Sequence, residues 1–341
     1  MDASVSNDFP QNRPITQRDK ELQLLQGQRL NVTPHYRRCV IKMNSTFLEF
    51  VDKWFEWRGA STAMALFMIT IGVAMIMLSF ITSDDVIRGG HFYEDSGIII
   101  LLLGGLALLS CMAIKLGRDL LRRETFTYTH YPIRFNRKTR MVHVFRADGS
   151  VLSVKWDDVF FTLWPKEQKW QILGCVVNPS KTIALETFLL GYCGYMTHDD
   201  NIHSNGMFSP GNCVRSHWEF IRRYMETGPQ SISEHVQFCL PIADQKERAV
   251  SGLHQLLRNF SNGTIVMVAV MSPFCAILAL FRAYAIKTGD IPQWPKDVEA
   301  VNVIEQNDPY AIEGDAAGNR IAVFPAAARV AGVRCSKIKE K

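Results

Sequence analysis

Residues 59–83 read GASTAMALFMITIGVAMIMLSFITS and contain no Asp, Glu, Lys or Arg. Residues 96–114 and 259–281 are also free of these four residue types. A transmembrane helix needs about 20 mostly apolar residues, so each stretch is long enough to cross a bilayer. A helix in a soluble core usually carries a polar stripe, and the first two stretches have none. We therefore predict two N-terminal transmembrane helices, at about 60–82 and 96–115.

The third apolar stretch differs because Ser272-Pro273 lies at its middle. Proline is tolerated in membrane helices, but it can also mark a re-entrant hairpin. We predict a third hydrophobic helix over residues 259–287, as a full span or, alternatively, as a re-entrant helix. A full span places the C-terminus in the periplasm, whereas a re-entrant helix keeps it inside.

The charges beside the first two stretches predict their orientation. The loop at 83–95 has four acidic residues against Arg88 alone. The outer flanks carry the basic residues Lys53, Arg58, Lys115, Arg118, Arg122 and Arg123. Cytoplasmic flanks of membrane helices are enriched in Lys and Arg, so the flanks are predicted to be cytoplasmic and the loop outside. We expect a multi-pass membrane protein with its main domain in the cytoplasm, and in a bacterium the loop at 83–95 would be periplasmic.

The overall composition excludes several classes of protein. The chain has 341 residues, of which 47% are hydrophobic, which is too apolar for a disordered chain. Its eight cysteines form no CxxC pair, which argues against a zinc site or a disulfide framework. Lys and Arg number 38 against 33 Asp and Glu, so no basic surface for nucleic acid is expected.

The segments outside the membrane have distinct patterns. Residues 1–43 lack periodicity and are predicted to be a flexible cytoplasmic arm. In the 44–123 segment, the apolar residues before the first span recur at helical spacing. Thr46 and Glu49 fit a capping box, which is typical of a helix N-terminus. We predict an interfacial helix there, with a partner-binding or core-packing helix as the alternative. Its aromatic side chains are predicted to be membrane-interface anchors: Trp54, Phe55 and Trp57.

Residues 124–258 are predicted to be a cytoplasmic, strand-rich domain. Apolar residues alternate with polar ones at 133–135, 141–145 and 151–154, and Asp148-Gly149 marks a hairpin turn. An amphipathic helix is predicted at about 213–226. An antiparallel meander closed by one helix suggests a pleckstrin-homology-like sandwich, so the predicted fold class is membrane α+β. Residues 288–341 are predicted to be a C-terminal tail.

The sequence contains no recognised catalytic motif. A GxSxG elbow, a P-loop, a GxGxxG after a strand and an HExxH motif are all missing. His198-Asp199-Asp200 and His203 share one loop, but no second ligand group completes a metal site. We therefore predict no catalytic residue, no metal and no cofactor. Clustered cations of the first hairpin are candidates for contact with lipid headgroups or an acidic partner: Arg134, Arg137, Lys138 and Arg140.

Several motifs resemble an uncharacterised family of bacterial inner-membrane proteins. They are the run at 131–138, Val144-Phe145-Arg146 with Asp148-Gly149, Trp156-Asp157, Phe160-Phe161, the run at 218–225 with Gly228-Pro229, and Ile291-Pro292 with Trp294-Pro295 and Val298-Glu299. The resemblance covers about residues 40–312. It implies a place beside type VI secretion genes, and with it an immunity or accessory role.

We therefore expect a non-enzymatic membrane protein that acts by protein–protein interaction, with membrane lipids and a secreted effector encoded nearby as partners. The alternative is a membrane-anchored lipid-binding or envelope signalling module. The residues predict no oligomeric state.

Overall fold

The computed structural model describes residues 11–88, 96–166, 169–190, 194–195, 210–236, 239–258 and 265–313, and every structural statement below refers to these residues. The chain forms two compact units. We call the first the sheet unit, which comprises Met1–Phe55, His130–Gln245 and Ile291–Lys341. We call the second the helical unit, which comprises Glu56–Thr129 and Lys246–Asp290.

Strands and helices are named here in chain order. The strands are β1 (Arg13–Pro14), β2 (Gln23–Leu24), β3 (Val40–Met43), β4 (Phe47–Phe50), β5 (Ile133–Asn136), β6 (Met141–Phe145), β7 (Val151–Lys155), β8 (Val159–Lys166), β9 (Lys169–Val177), β10 (Ile183–Leu189), β11 (Gly194–Tyr195) and β12 (Ile312–Glu313). The helices are α1 (Gln17–Glu21), α2 (Ala60–Arg88), α3 (Ser96–Glu124), α4 (Pro210–Thr227), α5 (Ala249–Arg258), α6 (Ile265–Thr288) and α7 (Lys296–Val301). The α+β class is therefore confirmed.

The sheet unit contains two antiparallel sheets that share one hydrophobic core. The first sheet has the order β1-β10-β9-β8-β2, with β11 beside β9, and the second has the order β12-β3-β4-β5-β6-β7. Trp156, from the turn between the sheets, stacks on Trp218 of α4 with 5.4 Å between ring centroids. Phe135 of the second sheet and Phe161 of the first also contact the Trp156 ring. The helix α4 thus closes the core, as predicted from its amphipathic pattern.

Three helices of the helical unit are long and apolar enough to cross a membrane. Their apolar segments are Ala60–Asp84, Ile99–Glu124 and Val266–Thr288. In an 18-residue apolar window of each segment, only 11%, 6% and 17% of the residues are buried within the protein. Apolar surfaces this large are unfavourable in water and favourable in lipid, which is consistent with a membrane protein. The helices α2 and α3 extend beyond the predicted spans, whereas α6 begins at Ile265 and residues 259–264 lie outside the described ranges.

The helix α6 passes through Pro273 without interruption. Proline has no backbone N–H, so the carbonyl of Ala269, four residues earlier, loses its usual donor. The hydroxyl of Ser272 donates a hydrogen bond of 2.8 Å to that same carbonyl. The Ser272-Pro273 pair therefore compensates locally for the missing bond, and proline does not end the helix here.

The close contact between α2 and α3 depends on two glycines. A Cβ atom on Gly117 would lie 2.7 Å from the carbonyl oxygen of Ala65. A Cβ atom on Gly72 would lie 2.6 Å from Cγ1 of Ile114. Small residues let the backbones of membrane helices approach closely, so these two positions set the helix separation.

Glu124, at the end of α3, caps the start of α2. Its carboxylate accepts hydrogen bonds from the backbone N–H groups of Gly59 at 3.0 Å and Thr62 at 2.9 Å, and from the Thr62 hydroxyl at 2.8 Å. These N–H groups have no partner within α2, and a carboxylate also interacts favourably with the positive end of the helix. Glu124 thereby holds the two ends of the α2–α3 hairpin together.

Replacing Glu124 by alanine is expected to destabilise the helical unit by about 1–2 kcal/mol, the usual effect of losing a helix cap. Thermal unfolding of the purified protein in detergent measures this change. Asp119→Ala is the matched control, since Asp119 is an exposed carboxylate on the same helix. If the two variants melt at the same temperature, Glu124 does not stabilise α2 as a cap.

The predicted interfacial helix before the first span is wrong. The strand β4 lies between β3 and β5, with Phe50 opposite Val40 and Leu48 opposite Phe135. The Asn44 side chain accepts bonds of 2.8 Å from the backbone N–H groups of Thr46 and Phe47, which forms the turn into β4. Pairing with two neighbouring strands outweighs the weak helical spacing of this segment.

The two predicted terminal segments also require correction. Residues 11–43 are not a flexible arm, because β1 pairs with β10, β2 pairs with β8, and β3 belongs to the second sheet. Within the predicted C-terminal tail at 288–341, residues 291–313 belong to the sheet unit, where β12 pairs with β3. In both segments the chain finds its hydrogen-bond partners in strands far away in sequence, which local patterns do not reveal. Residues 1–10 and 314–341 lie outside the described ranges.

Candidate binding cleft on the second sheet

Five polar side chains form a continuous row across the second sheet. Each member lies directly opposite the next one on the neighbouring strand, from β3 to β7. The order is Lys42, Glu49, Arg134, His143 and Ser153. Residues opposite each other in neighbouring strands have side chains on the same face of the sheet. We call these five residues the polar row.

The polar row lies on the face that points away from the shared core. Successive side chains of a strand point to opposite faces of a sheet. The neighbours of the row residues are Leu48 and Phe50 in β4, Phe135 in β5, and Val142 and Val144 in β6, and all five belong to the core. The row is therefore a feature of the outer face of the second sheet.

Arg134 is the central residue of the row and is almost completely enclosed. Its Nη2 lies 2.8 Å from Oε2 of Glu49, and both side chains are buried. The guanidinium lies between two aromatic rings, 4.3 Å from the Phe47 centroid and 4.7 Å from the Trp294 centroid. Its Nη1 also reaches Oε1 of Glu299, at 3.2 Å. A charge removed from water in this way needs such partners, since an isolated buried charge is very costly.

The segment that follows α6 covers the row, and we call residues 291–302 the strap. Trp294 is its main contact, and its indole N–H donates to Oε1 of Glu49 at 3.2 Å. The Trp294 ring also meets the rings of His143 and Phe145 edge-on, at 6.5 Å and 5.8 Å between centroids. Trp294 therefore packs on three neighbouring strands of the outer face.

A second contact lies at the other end of the strap. The side-chain amide of Asn136 donates to the carbonyl oxygen of Val301 at 2.8 Å and to Oδ1 of Asn302 at 3.0 Å. Asn302 in turn donates to the carbonyl oxygen of Val298 at 2.7 Å, which stabilises the end of α7. Side chains of the sheet thus hold both ends of the strap.

A cleft of about 300 Å³ lies between the strap and the sheet. It is lined by residues of the polar row, the strap and two further segments: Lys42, Glu49, His130, Arg134, Ala243, Asp244, Ile291, Pro292, Gln293, Trp294 and Glu299. The lining offers two cations, three carboxylates, an imidazole and an indole. Such groups suit the binding of a polar or charged ligand by charge-assisted hydrogen bonds.

His143 is held in its neutral form. Burial, and then the nearby charge of Arg134, lower its pKa from 6.5 to about 4. Its Nδ1 lies 2.8 Å from the hydroxyl oxygen of Ser153. The polar row therefore carries its charge on Lys42, Glu49 and Arg134 at neutral pH, with His143 uncharged.

The sheet unit is expected to lose stability in mild acid because of His143. In the unfolded chain the imidazole protonates below about pH 6.5, but in the folded chain only below about pH 4. Between these values the unfolded chain binds the extra proton, so stability is full above pH 6.5 and falls as the pH drops towards 4. At 1.36 kcal/mol per pKa unit, the loss amounts to about 3 kcal/mol.

Chemical unfolding of the wild type and of His143→Asn between pH 7.5 and pH 4.5 measures this contribution. The asparagine variant keeps a hydrogen-bonding side chain but cannot gain the proton, so its stability is expected to fall less. His217 is a useful reference because its burial lowers its pKa to about 3, and its contribution remains in both proteins. Equal pH dependence in the two proteins would contradict the role given to His143.

The structure does not bring the four predicted contact cations together on one surface. Arg134 is not an exposed cation, because its guanidinium is buried against Glu49 and Trp294, and its contact with a partner stays a prediction. Arg140 pairs with Glu226 at 2.9 Å and with Asp157. The cations at the turn thus have carboxylate neighbours of their own, which weakens an attraction for anionic surfaces.

The other two cations of the turn lie at separate places. Lys138 forms an ion pair with Glu305. The Arg137 guanidinium lies against Gly228. A Cβ atom added to Gly228 would be 3.2 Å from the central carbon of that guanidinium. Whether these side chains contact lipid or a partner stays a prediction.

The three predicted interface anchors differ in exposure. Trp54 is 47% exposed and Trp57 is 41% exposed, so both indoles are accessible. The prediction for Phe55 is wrong, because Phe55 is buried and its ring lies edge-on to His130 with 6.2 Å between centroids. Phe55 belongs to the core of the sheet unit, so only the two indoles remain as predicted anchors.

Sequence reasoning missed Glu49, Trp294 and Glu299 as parts of a site. Glu49 and Arg134 are 85 residues apart in the chain, and no local pattern predicts that β4 lies beside β5. The one available signal was the Trp294-Pro295 motif with Glu299 shortly after it. Among the described residues, no group of three or more His, Cys, Asp or Glu could hold a metal ion. The loop with His198 and His203 lies outside them.

Fold and site together define an α+β protein with three helices apolar enough to span a membrane and a polar cleft on one sheet. The chain belongs to the family described as "Family of unknown function (DUF6708)", which matches residues 110–306. The match includes Arg134 and the strap, whereas Lys42 and Glu49 precede it. The comparisons with curated proteins and with solved structures found no match.

Proposed function

We propose that this chain is a multi-pass protein of the bacterial inner membrane whose sheet unit is a cytoplasmic binding module. The observation that carries the binding role is the polar row with its cleft and strap. Apolar residues would often stabilise such a covered face at least as well as charged ones, which supports a role in recognition for the charged side chains. The apolar surfaces of α2, α3 and α6 support the membrane location.

Strand pairing supports the placement of all parts of the sheet unit on the same side of the membrane. The strand β4 precedes the α2–α3 hairpin and β5 follows it, yet the two strands are neighbours. The strand β12 follows α6, yet it pairs with β3. Each helical insertion therefore leaves the sheet unit and returns to it, which requires an even number of membrane crossings. The C-terminal residues 291–313 then lie on the same side as β3 and β5.

The packing of α5 on α6 supports a hairpin rather than a single crossing. Near the start of α5, a Cβ atom on Gly252 would lie 3.0 Å from the Arg282 side chain, close to the end of α6. Further along α5, Leu256 packs with Cys275 and Ala279. The two helices therefore run in opposite directions, and we take them as the two arms of one hairpin, with α5 before α6 in the chain. We propose the re-entrant alternative of the third hydrophobic segment, with a cytoplasmic C-terminus.

Labelling of single cysteines in spheroplasts tests this topology. A variant that keeps only Cys335 is expected to react with a membrane-impermeant maleimide only after the inner membrane is permeabilised. A variant with Glu94→Cys as its single cysteine is the matched control, and it should react in spheroplasts without permeabilisation. Labelling of Cys335 in intact spheroplasts would contradict a cytoplasmic C-terminus.

The sharper form of the proposal is immunity or accessory protection against a secreted effector encoded nearby, as the family resemblance implies. Co-purification in detergent with the product of the adjacent gene tests it. Asp244→Arg changes a carboxylate of the cleft lining that is 82% exposed and pairs with Lys42, and we expect it to weaken capture at least tenfold. Glu305→Arg is the matched control, since Glu305 is 53% exposed and pairs with Lys138 outside the cleft lining.

Two results together would refute this sharper form: no capture of a neighbouring effector, and full resistance of a deletion strain to attack by sister cells. The second candidate is a lipid-binding or signalling module with a pleckstrin-homology-like sandwich. A meander of β4 to β10 over two sheets, followed by α4, supports this fold. For that candidate, reversing the charges of Arg137, Lys138 and Arg140 should abolish sedimentation with anionic vesicles. Unchanged sedimentation excludes it.

A further inference from the structure

We propose that the strap is an internal ligand of the second sheet, and that the face beneath it docks an extended segment of a partner protein. The partner segment carries an indole followed by a carboxylate, as the strap does. This inference rests on the binding role proposed above and specifies the chemistry of the partner. It follows from how the sheet contacts the strap, one group at a time.

The first recognised group is the indole of Trp294. One face of the ring lies over the guanidinium of Arg134, and the ring N–H bonds to Glu49. The ring edges of His143 and Phe145 complete the surroundings. An aromatic anchor held by stacking, a hydrogen bond and edge contacts is typical of the dominant residue in a protein interface.

The second recognised group is the carboxylate of Glu299. It lies 3.2 Å from Nη1 of Arg134, so one arginine contacts both the indole and the carboxylate of the strap. The third group is the carbonyl of Val301, to which Asn136 donates. Because every residue has a backbone carbonyl, this last contact sets the position of a segment without demanding a particular side chain.

Several features make the strap suitable for displacement. The backbone hydrogen bonds described for its helix α7 are local, from Glu299 N–H to the Pro295 carbonyl and from Asn302 N–H to the Glu299 carbonyl. Pro292 and Pro295 have no N–H to donate to a neighbouring strand. The described contacts of the strap with the sheet are thus made through side chains and one carbonyl. The cleft of about 300 Å³ also leaves space between strap and sheet.

Displacement requires competition with a tethered segment. A ligand attached to the same chain acts at an effective concentration in the millimolar range or above, so it excludes weak competitors. The docking face is therefore closed by default and opens only to a partner that binds it more tightly than the strap does. The apparent affinity of the partner falls in proportion to the fraction of molecules with an open face.

A peptide of residues 291–303 (IPQWPKDVEAVNV), labelled with fluorescein, is the probe for this inference. Its binding to the full chain in detergent is measured by fluorescence anisotropy. We expect at least tenfold tighter binding to the Trp294→Ala/Glu299→Ala chain than to the wild type, because the double variant weakens the internal competitor. A peptide with alanine in place of the tryptophan should lose at least tenfold in affinity. A peptide with alanine at the Glu299 position should lose affinity by a smaller factor, because its half-exposed ion pair with Arg134 is weaker.

The single variant Glu299→Ala serves as a second test that does not depend on the folding of the double variant. Its half-exposed side chain can be removed without opening the core. It should also bind the peptide more tightly than the wild type, by a smaller factor. Equal affinity of a folded Glu299→Ala chain and the wild type, checked by circular dichroism and gel filtration, would overturn the proposal. Equal binding of all three peptides would overturn it as well.

Capture of the neighbouring effector separates this inference from the proposed function. Tighter capture by the Trp294→Ala/Glu299→Ala chain than by the wild type supports both. Equal capture by the two chains leaves the binding role intact but overturns docking beneath the strap. If neither chain captures an effector while the peptide still binds the double variant more tightly, the strap is displaceable and the effector role is wrong.

Discussion

Replacing Trp218 by alanine is expected to destabilise the sheet unit by about 3–5 kcal/mol, the range for removing a fully buried aromatic side chain. Trp218 is fully buried, and its ring lies 5.4 Å from Trp156 and 4.8 Å from Phe161, between centroids. Its removal opens a cavity where α4 meets both sheets. An average domain has only about 5–15 kcal/mol of stability, so a loss of this size leaves much of the protein unfolded.

Far-UV circular dichroism during urea unfolding in detergent measures this loss without depending on tryptophan fluorescence. Trp54→Ala is the matched control, since Trp54 is an exposed tryptophan of the same unit, and its cost is expected to stay below about 1 kcal/mol. Trp218→Phe should cost less than Trp218→Ala, because it keeps most of the ring contacts. It also removes an indole N–H that has no hydrogen-bond partner among the described residues. Equal midpoints for the Trp218→Ala and Trp54→Ala variants would contradict the assigned core.

The two glutamates that pair with Arg134 are expected to differ sharply when each is replaced by alanine. Glu49 is buried, so Glu49→Ala leaves the Arg134 charge without its main partner inside the protein, which typically costs about 3–5 kcal/mol. Glu299 is 52% exposed, and its ion pair is weakened by water. Loss of such a pair is expected to cost less than about 1 kcal/mol. Because both carboxylates bind the same guanidinium, each variant is the control for the other.

A double replacement tests whether the cost of Glu49→Ala comes from the unpaired charge. Adding Arg134→Met removes that charge and keeps an apolar side chain of similar length between Phe47 and Trp294. We expect the double variant to regain part of the lost stability, because buried ion pairs are often replaced by apolar residues without penalty. A double variant less stable than Glu49→Ala alone would mean that Arg134 stabilises the sheet chiefly by its stacking and hydrogen bonds.

Predictions from the sequence succeeded where the signal is local. The hairpin strands β5, β6 and β7 were predicted from alternation and the Asp148-Gly149 turn, and they are confirmed. The helix α4 was predicted at about 213–226 from its amphipathic pattern. In the structure Gly228 has a φ of 94°, which ends the helix. In each case the residues that make the element are adjacent in the chain.

Predictions failed where the partner of a segment is distant. The segment before the first span has spacing compatible with a helix, but the strands on its two sides make it β4. Phe55 was predicted to face the membrane, yet it packs into the core of the sheet unit. Arg134 was predicted to lie at the surface, yet Glu49 and the strap enclose it. All three errors arise because burial depends on neighbours that lie outside any local window.

The sequence by itself determined the three membrane-length helices, the α+β class and the amphipathic helix that closes the core. These follow from the free energy of transferring apolar side chains out of water, which is a property of each segment alone. Only the tertiary structure decided that strands before, between and after the apolar helices join in one unit. Only the tertiary structure aligned Lys42, Glu49, Arg134, His143 and Ser153 in one row beneath the strap. Strand register and ion pairing are set by contacts across many residues of chain, so they exist only once the whole unit has folded.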